Sequence, residues 1–245
     1  MVAPPFAVKP GTLYLVSTPI GNLRDISLRA LDVLKGVDLI AAEDTRTSKV
    51  LLNHYDVQTA LTSHHDHNKE RVTPTLIAKL RGGSSIAVIT DAGTPGVSDP
   101  AFYLVREAIK DNIIIEAIPG ATAFVPALVL SGLPTDRFVF EGFLPPKKGR
   151  HTRLQELALE PRTIILYESP HRITKTCADL YEYLGNRQIA VVRELTKKFE
   201  TVVRGSLEEI MQQPEAITLK GEFVLVVEGL TRDLQKQLKK KKYEK

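Results

Sequence analysis

The alternation of short β-rich runs with amphipathic helical stretches is the feature that most limits the fold of this chain. Between residues 12 and 117 each apolar run of strand length is followed by a segment in which apolar residues recur every three or four positions. The predicted strands are 12–17, 38–42, 85–89 and 113–117. The predicted helices are 27–34, 45–55, 72–80 and 101–110. Strands connected through helices pair in parallel by right-handed crossovers, so we expect an α/β domain with a mainly parallel sheet.

The pattern changes after residue 123, where the apolar runs favour a second α/β domain with a mixed sheet. The predicted strands there are 138–143, 163–167, 188–193, 201–204 and 223–228. The predicted helices are 124–130, 152–159, 173–184 and 207–212. The expected organisation is an N-terminal extension at 1–10, an N-terminal domain at 11–123, a C-terminal domain at 124–230 and a lysine-rich tail at 231–245.

Cysteine content and hydropathy restrict the environment of the protein. Cys177 is the only cysteine, which excludes an internal disulfide and a cysteine-based zinc site and fits a reducing compartment. No segment approaches the roughly 18 uninterrupted apolar residues of a membrane helix. We therefore expect a cytoplasmic protein with no membrane partner.

The net charge of +4 comes from the end of the chain. The last ten residues hold six lysines and one glutamate, and without them 27 basic and 28 acidic residues remain. A solvated helix end is the ordinary interpretation of this tail, and phosphate contact is the alternative. A second basic cluster, Lys147, Lys148 and Arg150, lies inside the chain.

Three glycine-bearing loops follow predicted strands, at 18–22, 91–100 and 118–123. If the sheet is parallel, all three lie at one edge and form a single crevice, which is where open α/β sheets bind small ligands. The 91–100 loop also has an ordinary interpretation as a strand-to-helix turn in which Asp99 caps the next helix.

The loops carry neither the glycine fingerprint of dinucleotide-binding folds nor a P-loop, since no glycine-lysine-serine/threonine triplet occurs. ATP and NAD are therefore weak candidates. S-adenosylmethionine, whose binding depends on backbone groups and small residues, is a better one.

Other polar segments each allow two interpretations. In Glu43–Arg46 the carboxylates are candidates for proton transfer, or Asp44 caps a helix and Arg46 pairs with an acid. Three histidines within 63–68 suggest a metal site, but they lack a cysteine partner and we predict no metal. In Tyr167–Arg172, His171 and Arg172 are candidates for phosphate or ribose contact, or Ser169 and Pro170 mark a helix start. The charged turn 193–200 is either an ordinary solvated turn or a functional segment.

Seven motifs taken in order resemble the ribosomal RNA small-subunit methyltransferase I family, within the tetrapyrrole methylase-like, class III S-adenosylmethionine-dependent methyltransferases. They are residues 18–26, 43–46, 91–100, 131–136, 167–172, 193–197 and 221–223, and the resemblance runs from about residue 11 to residue 228. One departure is Ala101, where the family usually has glycine; alanine is tolerated there unless the position needs positive φ.

The resemblance implies two α/β domains with S-adenosylmethionine in the cleft between them, a homodimer, and 2′-O-methylation of a cytidine in the decoding region of 16S rRNA in the small ribosomal subunit. The cofactor-binding residues that it implies are Pro19, Gly21, Asp91, Gly93, Thr94, Pro95, Val97, Ser98, Gly120, Ala121, Thr122, Tyr167 and Gly221.

Methyl transfer to a ribose hydroxyl needs a proton acceptor and cations that position the RNA. The catalytic candidates are Glu43, Asp44, Arg46, Glu168, His171 and Glu194. The RNA-binding candidates are Arg172, Arg193, Lys197, Lys147, Lys148 and Arg150. The alternatives are a methyltransferase of the same fold acting on a tetrapyrrole or a diphthine-type modified histidine, and a non-enzymatic RNA-binding module.

Overall fold

The computed structural model describes residues 6–213, 218–231 and 234. The chain divides into two compact units, Met1–Thr122 and Ala123–Lys245. The six lysines of the predicted tail, all within 236–245, lie outside the described residues.

The first unit is built on a five-stranded sheet in the order β3-β2-β4-β1-β5, and every pairing in it is parallel. The parallel sheet predicted from the sequence is confirmed. Its strands are β1 Thr12–Val16, β2 Leu39–Ala42, β3 Leu61–Ser63, β4 Ile86–Ile89 and β5 Ile114–Ile118. Its helices are α1 Leu28–Gly36, α2 Thr45–His54, α3 Lys69–Arg81 and α4 Ala101–Lys110, with a 3-10 turn at Leu23–Asp25.

Alternate residues of the central strands face opposite sides of this sheet, and both sides are buried. Val16 and Ile89 belong to the core on the side of α1, whereas Leu13 and Val88 belong to the core formed with α3 and α4. Strands covered on both faces carry continuous apolar runs, which is why the sequence of β4, IAVI, contains no polar residue.

The predicted strands of this unit all form, but β3 was not predicted. It has only three residues, Leu61–Ser63, all half-buried, and two of them are polar. A strand of this kind forms because its backbone pairs with β2, and neither its length nor its hydropathy signals it. The bounds of α4 agree with the predicted helix 101–110, and Pro100 is the residue directly before it.

The second unit also contains a five-stranded sheet, in the order β6-β7-β10-β8-β9. Only β6 and β7 pair in parallel, and the other pairings are antiparallel, so the predicted mixed sheet is confirmed. The strands are β6 Phe138–Phe143, β7 Thr163–Glu168, β8 Gln188–Arg193, β9 Thr201–Ser206 and β10 Phe223–Val227. The helices are α5 Phe124–Ser131, α6 Arg150–Ala158, α7 Ile173–Leu184 and α8 Leu207–Gln212.

None of the helices in the described ranges has both the length and the apolar character that a membrane crossing requires.

Candidate functional site

Three loops of the first unit meet at the carboxyl edge of its sheet. They follow β1, β4 and β5, which are neighbours in the strand order. Thr18 and Gly93 exchange two backbone hydrogen bonds of 2.9 and 3.1 Å, which join the first loop to the second. The prediction that these loops come together is confirmed for residues 18–22, 91–100 and 118–122, which we call the three-loop edge.

Side-chain hydroxyls link the same loops. Thr94 Oγ1 donates a 3.2 Å hydrogen bond to the carbonyl of Ala121, and Ser17 Oγ lies 3.0 Å from Thr94 Oγ1. With Thr94 donating to the carbonyl, the Ser17 hydroxyl donates to Thr94. One threonine therefore holds all three loops together, because Ser17 directly precedes the first of them.

Close backbone approach at this edge requires glycine. A Cβ atom on Gly120 would lie 2.8 Å from the Cβ of Ser17, a distance that real side chains do not adopt. Gly93 has a φ of +89°, in the region that favours glycine. Both positions lie where the loops touch, so the glycines serve the packing of the edge.

The remaining predicted cofactor-binding residues of this unit also lie on these loops. Pro19 and Pro95 are buried, Val97 is half-buried, and Gly21 and Ser98 are exposed. The Thr122 hydroxyl is buried and has no hydrogen-bond partner among the described residues. A buried hydroxyl without a partner is costly, so this one fits a contact with a bound ligand.

A carboxylate pair connects the three-loop edge to the end of β2. Glu43 Oε2 accepts a 2.6 Å hydrogen bond from Thr90 Oγ1, and Asp91 Oδ1 accepts one of 3.1 Å from the backbone N–H of Asp44. Burial and then the negative charge of Glu43 raise the pKa of Asp91. Thr90 is not among the predicted site residues, although its position between β4 and Asp91 is a usable signal.

Asp44 has a local role next to this pair. Its Oδ1 accepts a 2.8 Å hydrogen bond from the backbone N–H of Arg46 and so caps α2, as one of the two interpretations predicted. Its Oδ2 lies 2.8 Å from Nη2 of Arg46. The hydrogen bonds from Arg46 lower the pKa of Asp44 to about 2. Asp44 is therefore the weaker base of the two neighbouring acids Asp44 and Asp91.

Asp99 closes the loop after β4. Its carboxylate accepts hydrogen bonds from the backbone N–H groups of Gly96, at 2.9 Å, and of Ala101, at 2.8 Å. The N-cap residue of α4 is Pro100, so Asp99 does not occupy the predicted capping position, although it binds the first backbone N–H of the helix. Burial raises its pKa. Ala101 begins α4, and its φ is not positive, so alanine is compatible with the backbone at the position where the resembled family has glycine.

The histidine segment packs beside β2. His64 is buried, its Nε2 lies 3.1 Å from Thr73 Oγ1, and burial lowers its pKa. Among the residues that the structure describes, no group of three or more histidine, cysteine, aspartate or glutamate side chains could hold a metal ion.

The predicted site residues Glu168, His171 and Arg172 of the second unit differ from one another in exposure. Glu168 is 2% exposed, and its carboxylate accepts hydrogen bonds from Ser169 N, at 2.7 Å, and Thr176 Oγ1, at 2.6 Å. Arg172 is partly exposed; it lies 3.3 Å from Glu168 and donates to the carbonyl of Leu144. His171 is exposed. Of these three side chains, only Glu168 is enclosed by the fold.

Two of the predicted RNA-binding arginines are buried. Arg150 is 6% exposed and binds Asp179 at 2.7 Å and Thr176 at 2.9 Å. Arg193 is 8% exposed and donates to the carbonyls of Lys220 and Phe199. Both guanidinium groups are bound inside the second unit. Lys147 and Lys148, by contrast, are exposed.

Comparison with known proteins identifies the family. Residues 12–211 match the family model of the Tetrapyrrole (Corrin/Porphyrin) Methylases. "Ribosomal RNA small subunit methyltransferase I" of Halalkalibacterium halodurans is 53% identical over 220 residues, which cover 89% of this chain and 76% of that protein. The chain belongs to the ribosomal RNA small subunit methyltransferase I family. The Escherichia coli O157:H7 member is 47% identical over 223 residues, covering 89% of this chain and 78% of that protein.

Solved structures show the same fold at lower identity. A diphthine synthase superposes with a TM-score of 0.71 and 16% identity, covering 90% of each chain. A uroporphyrin-III-C-methyltransferase from Thermus thermophilus superposes with a TM-score of 0.63 and 23% identity, covering 89% of this chain and 94% of that one. The family thus shares its two-domain α/β architecture with proteins of different names.

The family resemblance also named residues in the second unit, and the structure groups them in two places. Gly221, with a φ of +90°, lies against the side chain of Glu194, whose Oε1 accepts hydrogen bonds from Lys197 Nζ, at 2.9 Å, and Glu222 N, at 3.0 Å. Burial opposes ionisation of Glu194, but these bonds outweigh it and lower its pKa. The Tyr167 ring lies in a separate aromatic cluster, 5.0 Å from the ring of Phe140.

Proposed function

We propose that this protein transfers a methyl group from S-adenosylmethionine to the 2′-hydroxyl of a cytidine in the decoding region of 16S rRNA. The observation that carries the proposal is the three-loop edge. It occurs in a chain that is about half identical in sequence to proteins named for small-subunit rRNA methylation. Because that RNA is made and assembled in the cytoplasm, we expect the protein to act there.

The residues at the three-loop edge fit S-adenosylmethionine. The edge offers backbone groups that approach closely at Gly120 and take a positive φ at Gly93, together with the unpartnered hydroxyl of Thr122. No lysine or arginine occurs in residues 91–100 or 118–122, which suits a ligand without phosphates. When bound, S-adenosylmethionine supplies a methyl carbon activated by the attached sulfonium.

The protein must align the 2′-hydroxyl with that carbon and accept the hydroxyl proton as the new C–O bond forms. Among the predicted acids we assign this proton to Glu43. Glu43 is only half-buried, and its Oε1 has no hydrogen bond among the described contacts. Asp44 is a weak base because its pKa is about 2, and Glu168 is sealed from substrate.

The RNA phosphates need cations that are accessible. Lys147 and Lys148 meet this condition, and Arg172 meets it in part, with 28% of its side chain exposed. Lys197 is also 28% exposed but lies 2.9 Å from both Glu194 and Glu222, so its charge is largely matched. We propose Lys147, Lys148 and Arg172 as RNA contacts, and we assign Arg150 and Arg193 to the fold.

A homodimer is part of the proposal, since the family resemblance implies one. Light scattering coupled to size-exclusion chromatography measures it directly, and a molar mass near 54 kDa, twice that of the 27.2 kDa chain, is the expected result. A mass that stays near that of one chain at micromolar concentration would contradict it.

The deciding experiment is the transfer of a labelled methyl group to small-subunit RNA or to assembled small subunits, followed by mapping of the modified nucleotide. We expect label on the ribose of one cytidine in the decoding region. Label on a porphyrinoid with none on RNA would instead assign the protein to the small-molecule methyltransferases of the same fold. Retention of RNA affinity without any binding of S-adenosylmethionine in calorimetry would indicate a non-enzymatic RNA-binding module.

A further inference from the structure

A pocket of about 480 Å³ lies between α3 and α4 in the first unit, and the side chains of α3 and α4 that line it have no function assigned above. The first turn of α3 and the start of α4 line it, together with the end of the loop after β4. Its lining includes Lys69, Gly96, Ser98, Phe102, Tyr103 and Arg106. This volume falls in the range of pockets that hold small ligands or single nucleotides.

The pocket shares a loop with the three-loop edge. Within residues 91–100, Thr94 makes the hydroxyl contacts to the neighbouring loops, whereas Gly96, Ser98 and Asp99 line the pocket. The pocket and the proposed cofactor site are therefore formed in part by the same loop. We call this cavity the α3–α4 pocket.

Aromatic rings and cations are combined in its lining. The Tyr103 ring lies 5.2 Å from the Arg106 guanidinium and 6.0 Å from Lys69 Nζ. Phe102 is 61% exposed, although it is large and apolar. Nucleotide bases stack on tyrosine and phenylalanine rings and on arginine guanidinium planes, and lysine and arginine bind the phosphates. This set of side chains matches both parts of a nucleotide.

The charges around the pocket leave its cations accessible to an anion. Lys69 is 29% exposed and lies 2.7 Å from Asp66, whose own side chain is 67% exposed. The side chain of Arg106 is 51% exposed and lies 3.3 Å from Glu107, which also binds Lys110 at 2.8 Å. The Asp99 carboxylate is occupied by the backbone N–H groups of Gly96 and Ala101. Exposed ion pairs of this kind are weak, so a phosphate can displace Asp66 and Glu107.

We infer that the α3–α4 pocket binds a nucleotide of the substrate RNA next to the methylated one, with its base on Tyr103 and Phe102 and its phosphate at Lys69 and Arg106. The inference rests on the proposed function. These side chains are positioning residues, because the pocket orients the RNA relative to the three-loop edge and takes no part in the transfer itself.

The test measures binding of a fluorescently labelled RNA fragment carrying the decoding region, by anisotropy over a range of salt concentrations. Arg106→Gln should weaken binding about tenfold and reduce the slope of log K against log salt by about 0.7, the value for one phosphate contact on a single strand. The matched control is Lys110→Gln, which removes a cation that also pairs with Glu107 but does not line the pocket. Its affinity and salt slope should stay close to those of the unmodified protein.

Stacking is tested separately at Tyr103. Tyr103→Ala should weaken RNA binding about tenfold, and Tyr103→Phe should restore it, because phenylalanine keeps the ring. Calorimetry with S-adenosylmethionine should give the same affinity for all variants. A parallel loss of cofactor affinity would show that these residues only support the loop after β4, and it would overturn the inference.

The outcomes separate this inference from the proposed function. If the unmodified protein methylates RNA and both Arg106→Gln and Tyr103→Ala keep its RNA affinity and salt slope, the pocket assignment alone is wrong. Equal effects of Arg106→Gln and Lys110→Gln would also overturn it, because they would show that RNA affinity depends on the total charge of the protein and not on the pocket. If the unmodified protein binds no RNA and methylates a porphyrinoid, both proposals are wrong.

Discussion

The two sheets of this protein use their polar residues in different ways. In the first unit polar groups that follow β1, β2, β4 and β5 contact one another at a single edge, where Ser17 and Thr90 are buried but Glu43 and Thr94 are half-buried and Asp91 is exposed. In the second unit Glu168, Arg150 and Arg193 are buried and engaged by neighbouring groups.

Strand direction alone does not account for this difference. All strands of a parallel sheet point the same way, so the loops that follow neighbouring strands meet at one edge. In the second unit β6, β7 and β8 also end at one edge, but the charged residues at the ends of β7 and β8, Glu168 and Arg193, are buried and bonded to neighbouring groups. A polar residue at the end of a strand is therefore half-buried at Glu43 in the first unit but buried at Glu168 and Arg193 in the second.

The largest expected effect is that of Glu43→Gln in the first unit, and the same substitution at Glu168 in the second unit serves as its comparison. Glu43→Gln should reduce turnover about 10³-fold, because the amide cannot accept the hydroxyl proton although it can still accept the hydrogen bond from Thr90. Single-turnover methyl transfer measures it, with calorimetry checking that cofactor binding persists. Turnover within a few-fold of the unmodified enzyme would remove Glu43 from the mechanism.

The matching change Glu168→Gln should act on the fold. The backbone N–H of Ser169 and the hydroxyl of Thr176 both donate to the carboxylate, and in glutamine one of the two would face the NH₂ group, which cannot accept. The free energy of unfolding should therefore fall by about 1–3 kcal/mol. Turnover per folded molecule should change little. A 10³-fold loss of turnover in a variant that remains folded would show that Glu168 takes part in the reaction, so that the two glutamates would not differ in role.

The next effect concerns the buried arginine of the second unit. Arg150→Ala should lower the free energy of unfolding by about 3 kcal/mol, because it leaves the Asp179 carboxylate without its buried partner. Lys148→Ala, an exposed change two positions away, should stay within about 0.5 kcal/mol. Denaturant titration measures both. Equal stability of the two variants would mean that Arg150 is free for another role.

A smaller effect is expected at the start of α2 in the first unit. Asp44→Ala should cost about 1 kcal/mol through loss of the helix cap, and Asp44→Asn should retain most of the stability because asparagine caps equally well. Turnover of Asp44→Asn should exceed that of Glu43→Gln by a wide margin. The reverse ranking would make Asp44 the proton acceptor.

The smallest effect is a pH dependence at Asp91. Since burial and Glu43 raise its pKa above that of the unfolded chain, ionised Asp91 destabilises the fold at neutral pH, and the penalty is lost as pH falls through the raised pKa. Asp91→Asn should therefore melt at a slightly higher temperature at pH 7, and the difference should shrink in acid. A difference that is constant with pH would contradict this reasoning.

The sequence predicted the elements of both units well where they are long or strongly apolar. The bounds of β6, α7 and β8 agree with the structure at both ends, because each combines clear periodicity with turn residues at its limits. β3 was missed because its three residues form a strand only through pairing with β2. The candidate site was predicted at the three-loop edge, whereas Arg150 and Arg193 were expected at a surface.

By itself the sequence determined the class of fold, the position of nearly every strand and the meeting of three loops, because these follow from periodicity and from the direction of parallel strands. Only the tertiary structure decided which charges are accessible, and it alone formed the α3–α4 pocket. Lys69 and Arg106 are 37 positions apart and belong to different helices, so their approach to one tyrosine ring depends on how α3 and α4 pack on the sheet. Burial and proximity of this kind arise from contacts between distant segments, which no local pattern encodes.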